Sequence, residues 1–369
     1  MENEPSKDLG KTNKISTRQL LILFIMTGAP SIIRIVPSVM AEVSKQASWV
    51  SNIVFSILAI PFLYILFKLL SIDKDASLDD AYAKIIGKTA TKILMVIYMV
   101  WIFIVAALNL RYFAERFASS ILIEAPIAFF MATLLSFVYI VTRKNIEYFA
   151  RFSEIFIIFF VIFIIGILTI PLTEVKITNL LPVTTKDIIP ILKSTYAEFG
   201  LFSYITFIAF LGDKISDKQN MQKYIIKLPI NMFLINTALV INTIGIFGAK
   251  ATTTFSMPFF IFLKNINQFV VIERTESIFI SLWIATDFTI ITTFLFILTK
   301  INRKLFGLKC RKEIVTPLIF GIYIFSQYIS NNVFELKRFS EEIALYVNIV
   351  LGLIIPIIIY IIGKIRKKV

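Results

Sequence analysis

Residues 16–43 read STRQLLILFIMTGAPSIIRIVPSVMAEV, an apolar run interrupted by Thr27-Gly28-Ala29-Pro30-Ser31. The run is long enough to cross a bilayer, since each helical residue rises ~1.5 Å in a hydrocarbon core ~30 Å thick. Glycine packs no side chain and costs backbone entropy, and proline lacks an N–H and clashes with the preceding turn. Counting from Arg18, the interruption falls about ten residues in, near the midplane. Backbone groups freed at that depth are tolerated only where protein or a cavity surrounds them. The stretch therefore predicts a broken first helix with a small-solute site beside the break.

The whole chain has the same character. Its 369 residues are 57% hydrophobic and 17% charged, which a soluble domain does not need. Runs of ~17–25 apolar residues recur ten times. They lie at 18–43, 48–71, 92–120, 124–142, 146–170, 188–211, 224–249, 275–300, 314–331 and 342–363. The fold class expected is an all-α integral membrane protein with about ten transmembrane helices. The organisation expected is a cytoplasmic tail (1–15), one membrane domain (16–363) and a basic cytoplasmic tail (364–369). Two gaps carry the pattern of surface helices, or else of ordered loops: 77–88, with Ser77 as cap and Gly87 as stop, and 255–269.

Charge placement sets the orientation. The net charge is +14. Of 38 lysines and arginines, 26 fall on the side shared by both termini, 9 on the other and 3 (Arg34, Arg111, Arg116) within spans. The rule that inner loops are positive puts both termini in the cytoplasm, and it accounts for the charge without nucleic acid as partner. A single cysteine, Cys310, excludes an internal disulfide framework. With no histidine, zinc or haem is not expected, and no cofactor is assigned. No cleavable signal peptide is expected. No phosphate loop, catalytic triad or metal cluster is visible, so the chain does not read as an enzyme.

Polar residues inside spans are costly and are therefore candidates for function. Span six carries a weaker break signal at Gly200, within Thr195-Tyr196-Ala197-Glu198-Phe199-Gly200-Leu201-Phe202-Ser203-Tyr204-Ile205-Thr206. Breaks in spans one and six of a ten-span chain fit a five-plus-five inverted repeat with the substrate between them. Asp287 lies midway along span eight among Thr286, Thr289, Thr292 and Thr293. It reads either as a cation or proton site facing span one or as a carboxylate satisfied by threonines or water. Glu198 is similar but nearer the outer side. Arg34, six residues past Gly28, lies ~9 Å further outward. It is expected to snorkel to the outer surface, the other reading being contact with a carboxylate at the vestibule. Arg111 with Glu115, and Glu147 with Arg151, are spaced to neutralise each other on one helix face. Asn109 is better placed to touch a ligand.

Several stretches together resemble a known family: ISTRQ (15–19), ASWVS (47–51), LRYFAERF (110–117), IEAP (123–126), RKNIEYFARFSE (143–154), LLPV with PILK (180–193) and IERTESIFISLW (272–283). Their order and spacing resemble the permease-like B subunit of spore-germination nutrient receptors, within the amino acid–polyamine–organocation superfamily. The resemblance implies a LeuT-like fold with broken helices one and six, in the inner membrane of the dormant spore. It implies a germinant-sensing role, with receptor A and C subunits as partners. It also implies an amino acid or similar small nutrient bound among spans one, three, six and eight. Carried onto this chain, the ligand-binding set is Thr27, Gly28, Ala29, Pro30 and Ser31 from span one, and Trp101, Val105 and Asn109 from span three. Span six adds Phe202, Ser203 and Thr206, and span eight adds Asp287, Thr289 and Phe294. The chain departs from the family at Pro30 in the break, at Arg34, at Asn109 where an acid is common, and at Asp287 where an apolar residue is usual. Three functions follow as expectations: a nutrient receptor, a coupled amino acid transporter using Asp287, and a gated water or ion conduit.

Overall fold

The computed structural model describes residues 14–120, 126–255, 257–266, 275–308 and 311–369. Residues 1–13 of the tail, IEAP up to Ala125, 267–274 of the second surface segment and of IERTESIFISLW, and Cys310 lie outside the described residues.

Every expected span contains a helix. Spans one to five are α1 (Thr17–Ser44), α2 (Ser48–Leu70), α4 (Lys88–Ser120), α5 (Ile127–Thr142) and α6 (Ile146–Thr169), with α3 (Leu78–Ile86) between the second and third. Span six is α7 (Ile188–Phe202) with α8 (Tyr204–Ala209), and span seven is α9 (Tyr224–Phe247). Two short helices, α10 (Ala249–Thr254) and α11 (Pro258–Ile266), lead to α12 (Thr275–Phe306), which is span eight. Span nine is α13 (Arg311–Tyr328). Span ten runs from α14 (Val333–Phe339) through α15 (Leu345–Ile349) to α16 (Ile355–Ile365), with π turns at Ser340–Ala344 and Val350–Ile354. Among the described residues six stretches are long and apolar enough to cross a membrane, the first taking in α1 and α2 together. The chain is an all-α, multi-pass membrane protein. Large apolar side chains stand outward on its perimeter, among them Ile57 (62% exposed), Phe129 (59%), Ile162 (65%) and Phe320 (62%). Water would penalise that girdle, whereas acyl chains accept it.

The first helix departs from expectation. α1 is continuous through Thr27-Gly28-Ala29-Pro30-Ser31, with Pro30 and Pro37 inside it. Proline fixes φ at a helical value, so its cost is one lost hydrogen bond and a crowded carbonyl four residues back. That cost is met by packing. Most of the 28 residues are buried, and α1 touches α6, α7, α9, α10, α11 and α12 around its circumference. A helix enclosed on all sides gains most of its stability from tertiary contact rather than propensity.

Span six does break, but at Ser203 rather than Gly200. Gly200 serves proximity: a Cβ there would lie 2.6 Å from Leu345 Cδ2 and 3.1 Å from its Cα. Gly352 repeats the device one π turn later, where a Cβ would lie 2.3 Å from Ser203 Cβ and 2.8 Å from its carbonyl oxygen. Span ten thus lies against span six at backbone distance.

The two expected surface segments differ. α3 forms as read, with a reciprocal capping box between Ser77 and Asp80 and Gly87 at its end with φ +92°. Its apolar side, Leu78, Ala81, Tyr82 and Ile85, is buried. α11 does not lie on the surface. Phe259, Phe262 and Leu263 are buried, and the helix packs on α1, α9 and α12. An unbroken aromatic run gains more from the core than from an interface.

The first described residues and the last ones meet the same end of the bundle. Ile15 forms a parallel bridge with Ile215, Thr17 N–H donates to Asp217 Oδ1 at 2.6 Å, and Lys14 pairs with Asp75 at 2.8 Å. Arg366 donates to the Ile85 carbonyl at 2.7 Å.

Candidate polar site in the bundle core

The residues expected to form one site divide into groups. Ser31 and Asn109 come together: the Ser31 hydroxyl donates to Asn109 Oδ1 at 3.3 Å. Asn109 itself is oriented by donating to the Val105 carbonyl at 2.8 Å. Both residues are buried, on facing sides of α1 and α4.

Arg34 joins this pair and does not snorkel. It is 4% exposed. Its Nη2 donates at 3.4 Å to Ser31 Oγ and to Asn109 Oδ1, and its guanidinium lies 3.6 Å from the centroid of the Tyr112 ring. Snorkelling needs an open path to the interface; here Ile33, Ile35 and Val36 are buried around it, and stacking on Tyr112 holds the side chain inward.

The Tyr204 hydroxyl faces Ser31, Asn109 and Asn348. Phe294 meets the Tyr204 ring edge-on at 5.2 Å. Trp101 Nε1 donates to Asn348 Oδ1 at 2.7 Å. Spans one, three, six and ten therefore supply the polar groups, with span eight adding an apolar wall. Tyr204, Asn348 and Arg34 were not in the expected set.

The remaining expected residues have other partners. Thr27 donates to Thr293 at 3.2 Å, joining α1 to α12. Gly28 and Ala29 border a cavity of about 60 Å³ on another side of α1, with Phe24, Phe160 and Asn236. Phe202 sits edge-on to Phe24, Phe55 and Phe62 in the apolar core. Ser203 donates to the Gly200 carbonyl and Thr206 to the Gly352 carbonyl at 2.6 Å. Tyr98 donates to the neighbouring Leu351 carbonyl. The π turn frees such carbonyls from the α-helical pattern, and these hydroxyls satisfy them. Thr289 bonds the Ala285 carbonyl of its own helix.

Asp287 does not rest on its threonines. It pairs with Arg116 of α4 at 2.5 Å, the two side chains 0% and 2% exposed. The Arg116 guanidinium also stacks 3.7 Å from the Trp283 ring. Glu198 sits in a separate pocket, accepting from Asn236 Nδ2 at 2.9 Å. With its amide nitrogen turned toward Glu198, Asn52 donates to both carboxylate oxygens, at 2.8 and 3.1 Å. The two pairs spaced i, i+4 form as expected, Arg111–Glu115 at 2.8 Å and Glu147–Arg151 at 2.5 Å.

The chain is thus a multi-span helical membrane protein with a polar cluster buried among four of its spans. The sequence profile described as "Spore germination protein" matches residues 14–335, and the chain belongs to that family. Its relatives include "Putative spore germination protein YfkT" of Bacillus subtilis (strain 168), 23% identical over 89% of this chain and 90% of that protein. "Spore germination protein KB" of the same organism is 22% identical over 96% of each chain. Among solved structures, a substituted form of the Eremococcus coleocola manganese transporter superposes with a TM-score of 0.54 at 14% identity, covering 96% of this chain and 83% of that one. A second substituted form of it gives 0.51. The bundle shares that transporter's fold.

Proposed function

We propose that the chain is the membrane subunit of a nutrient receptor in the spore inner membrane. It binds an amino acid or similar small solute at the core cluster and triggers germination together with receptor A and C subunits. Both termini face the cytoplasm in this reading, in line with the distribution of lysine and arginine. The observation that carries it is the cluster of Ser31, Arg34, Asn109, Tyr204 and Asn348, drawn from four spans and buried beside a broken helix. Buried polar groups at mid-membrane are kept where they do something. A ligand shifts such a bundle only by binding one conformation more tightly than another, and the joint at Ser203 is where the chain has least helix to unwind.

The test is thermal stabilisation of the purified receptor by a panel of amino acids, alongside germination of spores carrying the same subunit. A panel that shifts nothing while the spores still respond to nutrients through this subunit would put the site elsewhere.

The fold shared with a manganese transporter favours a second reading, solute transport. Uptake into proteoliposomes tests it: substrate accumulation makes the chain a transporter, and binding without uptake leaves it a receptor.

A further inference from the structure

We infer that Arg34 is the anchor for the carboxylate of a small solute, an assignment that rests on the receptor reading above. A guanidinium stays charged at any accessible pH, so burial cannot be relieved by losing a proton. Among the described residues no carboxylate lies within ion-pair distance of Arg34; Asp287 is committed to Arg116. Two of its three nitrogens, Nε and Nη1, are buried and have no acceptor, and the contacts of the third are long at 3.4 Å. An uncompensated buried cation is among the costliest features a bundle can keep.

The surroundings define what would relieve it. Tyr112 covers one face of the guanidinium at 3.6 Å, which holds the plane fixed and leaves its edges to present donors. A planar oxyanion meets such an edge with two parallel hydrogen bonds. Ser31 and Asn109 lie at the same edge and offer acceptors to a neighbouring ammonium or hydroxyl. Phe294 meets Tyr204 edge-on beside the cluster, and Trp101 is tied to it through Asn348, so the groups around the guanidinium combine aromatic faces with a few polar atoms, the chemistry that recognises a small solute bearing one carboxylate.

The experiment compares neutral L-amino acids with their C-terminal amides, which differ in the carboxylate alone, on the full receptor and on Arg34→Met and Arg34→Lys. Thermal midpoint and half-saturating concentration are read for each. The acids are expected to raise the midpoint of the wild type and the amides to leave it unmoved. Arg34→Lys should bind on the order of 10- to 100-fold more weakly, since a point charge replaces a fork. Arg34→Met should be at least as thermostable as the wild type without solute and give no shift with any acid. An arginine with a purely structural role gives the opposite sign, a lower midpoint in Arg34→Met. That result, or equal response to acids and amides, overturns the anchor and leaves the receptor reading intact. No response to acids or amides in the wild type overturns the receptor reading and the anchor together.

Discussion

Asp287 and Arg116, 171 residues apart in sequence, form an ion pair between α12 and α4 with both side chains sealed from solvent. Separating such a pair leaves a charge in a medium that cannot solvate it. Asp287→Asn and Arg116→Gln are each expected to destabilise the bundle by about 3–5 kcal/mol. Replacing both with apolar residues of similar size should cost much less than the sum, because no charge is left behind. Thermal unfolding of the four proteins in one detergent completes the cycle. Strict additivity would mean that the pair does not couple the two helices. A coupling-ion role for Asp287 would instead appear as lost uptake in Asp287→Asn with its midpoint unchanged.

Gly352 is expected to tolerate no side chain. Alanine there would put a methyl group 2.3 Å from Ser203 Cβ and 2.8 Å from the Ser203 carbonyl oxygen, and backbone cannot yield as a flexible side chain does. Overpacking of this kind costs about 1–3 kcal/mol. Gly352→Ala should lower the thermal midpoint and also loosen the bond from Thr206 to the Gly352 carbonyl. Ser203→Gly in the same chain should recover part of the loss, since it removes the closer of the two clashes.

At the end of the bundle that Ile15 and Arg366 share, Lys304 reaches Asp79, and Asp80 at 2.5 Å. Partial burial pushes the Asp80 carboxyl up, but hydrogen bonds from Lys304 and from the Ser77 hydroxyl and N–H outweigh it and hold it down at about 2. A carboxyl held below its unfolded value stabilises the fold at any pH above that value, and the contribution fades as pH falls toward the folded one. The stability difference between wild type and Lys304→Met should therefore be level above about pH 4 and shrink between pH 4 and 2. Asp80 is half exposed, so the difference stays within ~1 kcal/mol. A difference that grew on acidification would contradict the assignment.

What the sequence disclosed depended on how local the cause was. The cap at Ser77 and stop at Gly87 follow from chemistry within one turn, and α3 forms between them. The pairs at i, i+4 form for the same reason. A glycine inside a span, such as Gly200, signals either a break or a close approach, and only the distant Leu345 decides between them. Asn348 carried a faint signal, a lone amide in an apolar run, whose meaning depends on Trp101 and Tyr204. Arg34 had two readings on sequence grounds, snorkelling or meeting a carboxylate at the vestibule, and its own burial rules out the first. The partner of Asp287 had no signal in spacing at all.

Pro30 gives the most informative substitution in α1. It has no N–H, so the Met26 carbonyl lacks its usual donor four residues on, yet the helix runs on through it. Alanine fits the same backbone and restores that bond. Pro30→Ala should therefore raise the thermal midpoint, as removal of an internal helix proline does when the site is helical already. If the bundle needs α1 to bend here when solute enters, the same change stiffens the joint and weakens the germination response while membrane insertion stays normal. A higher midpoint with an unchanged response would make Pro30 a packing residue and leave the moving joint to Ser203 alone. A lower midpoint would mean that the packing of the buried proline ring matters more than the hydrogen bond it omits.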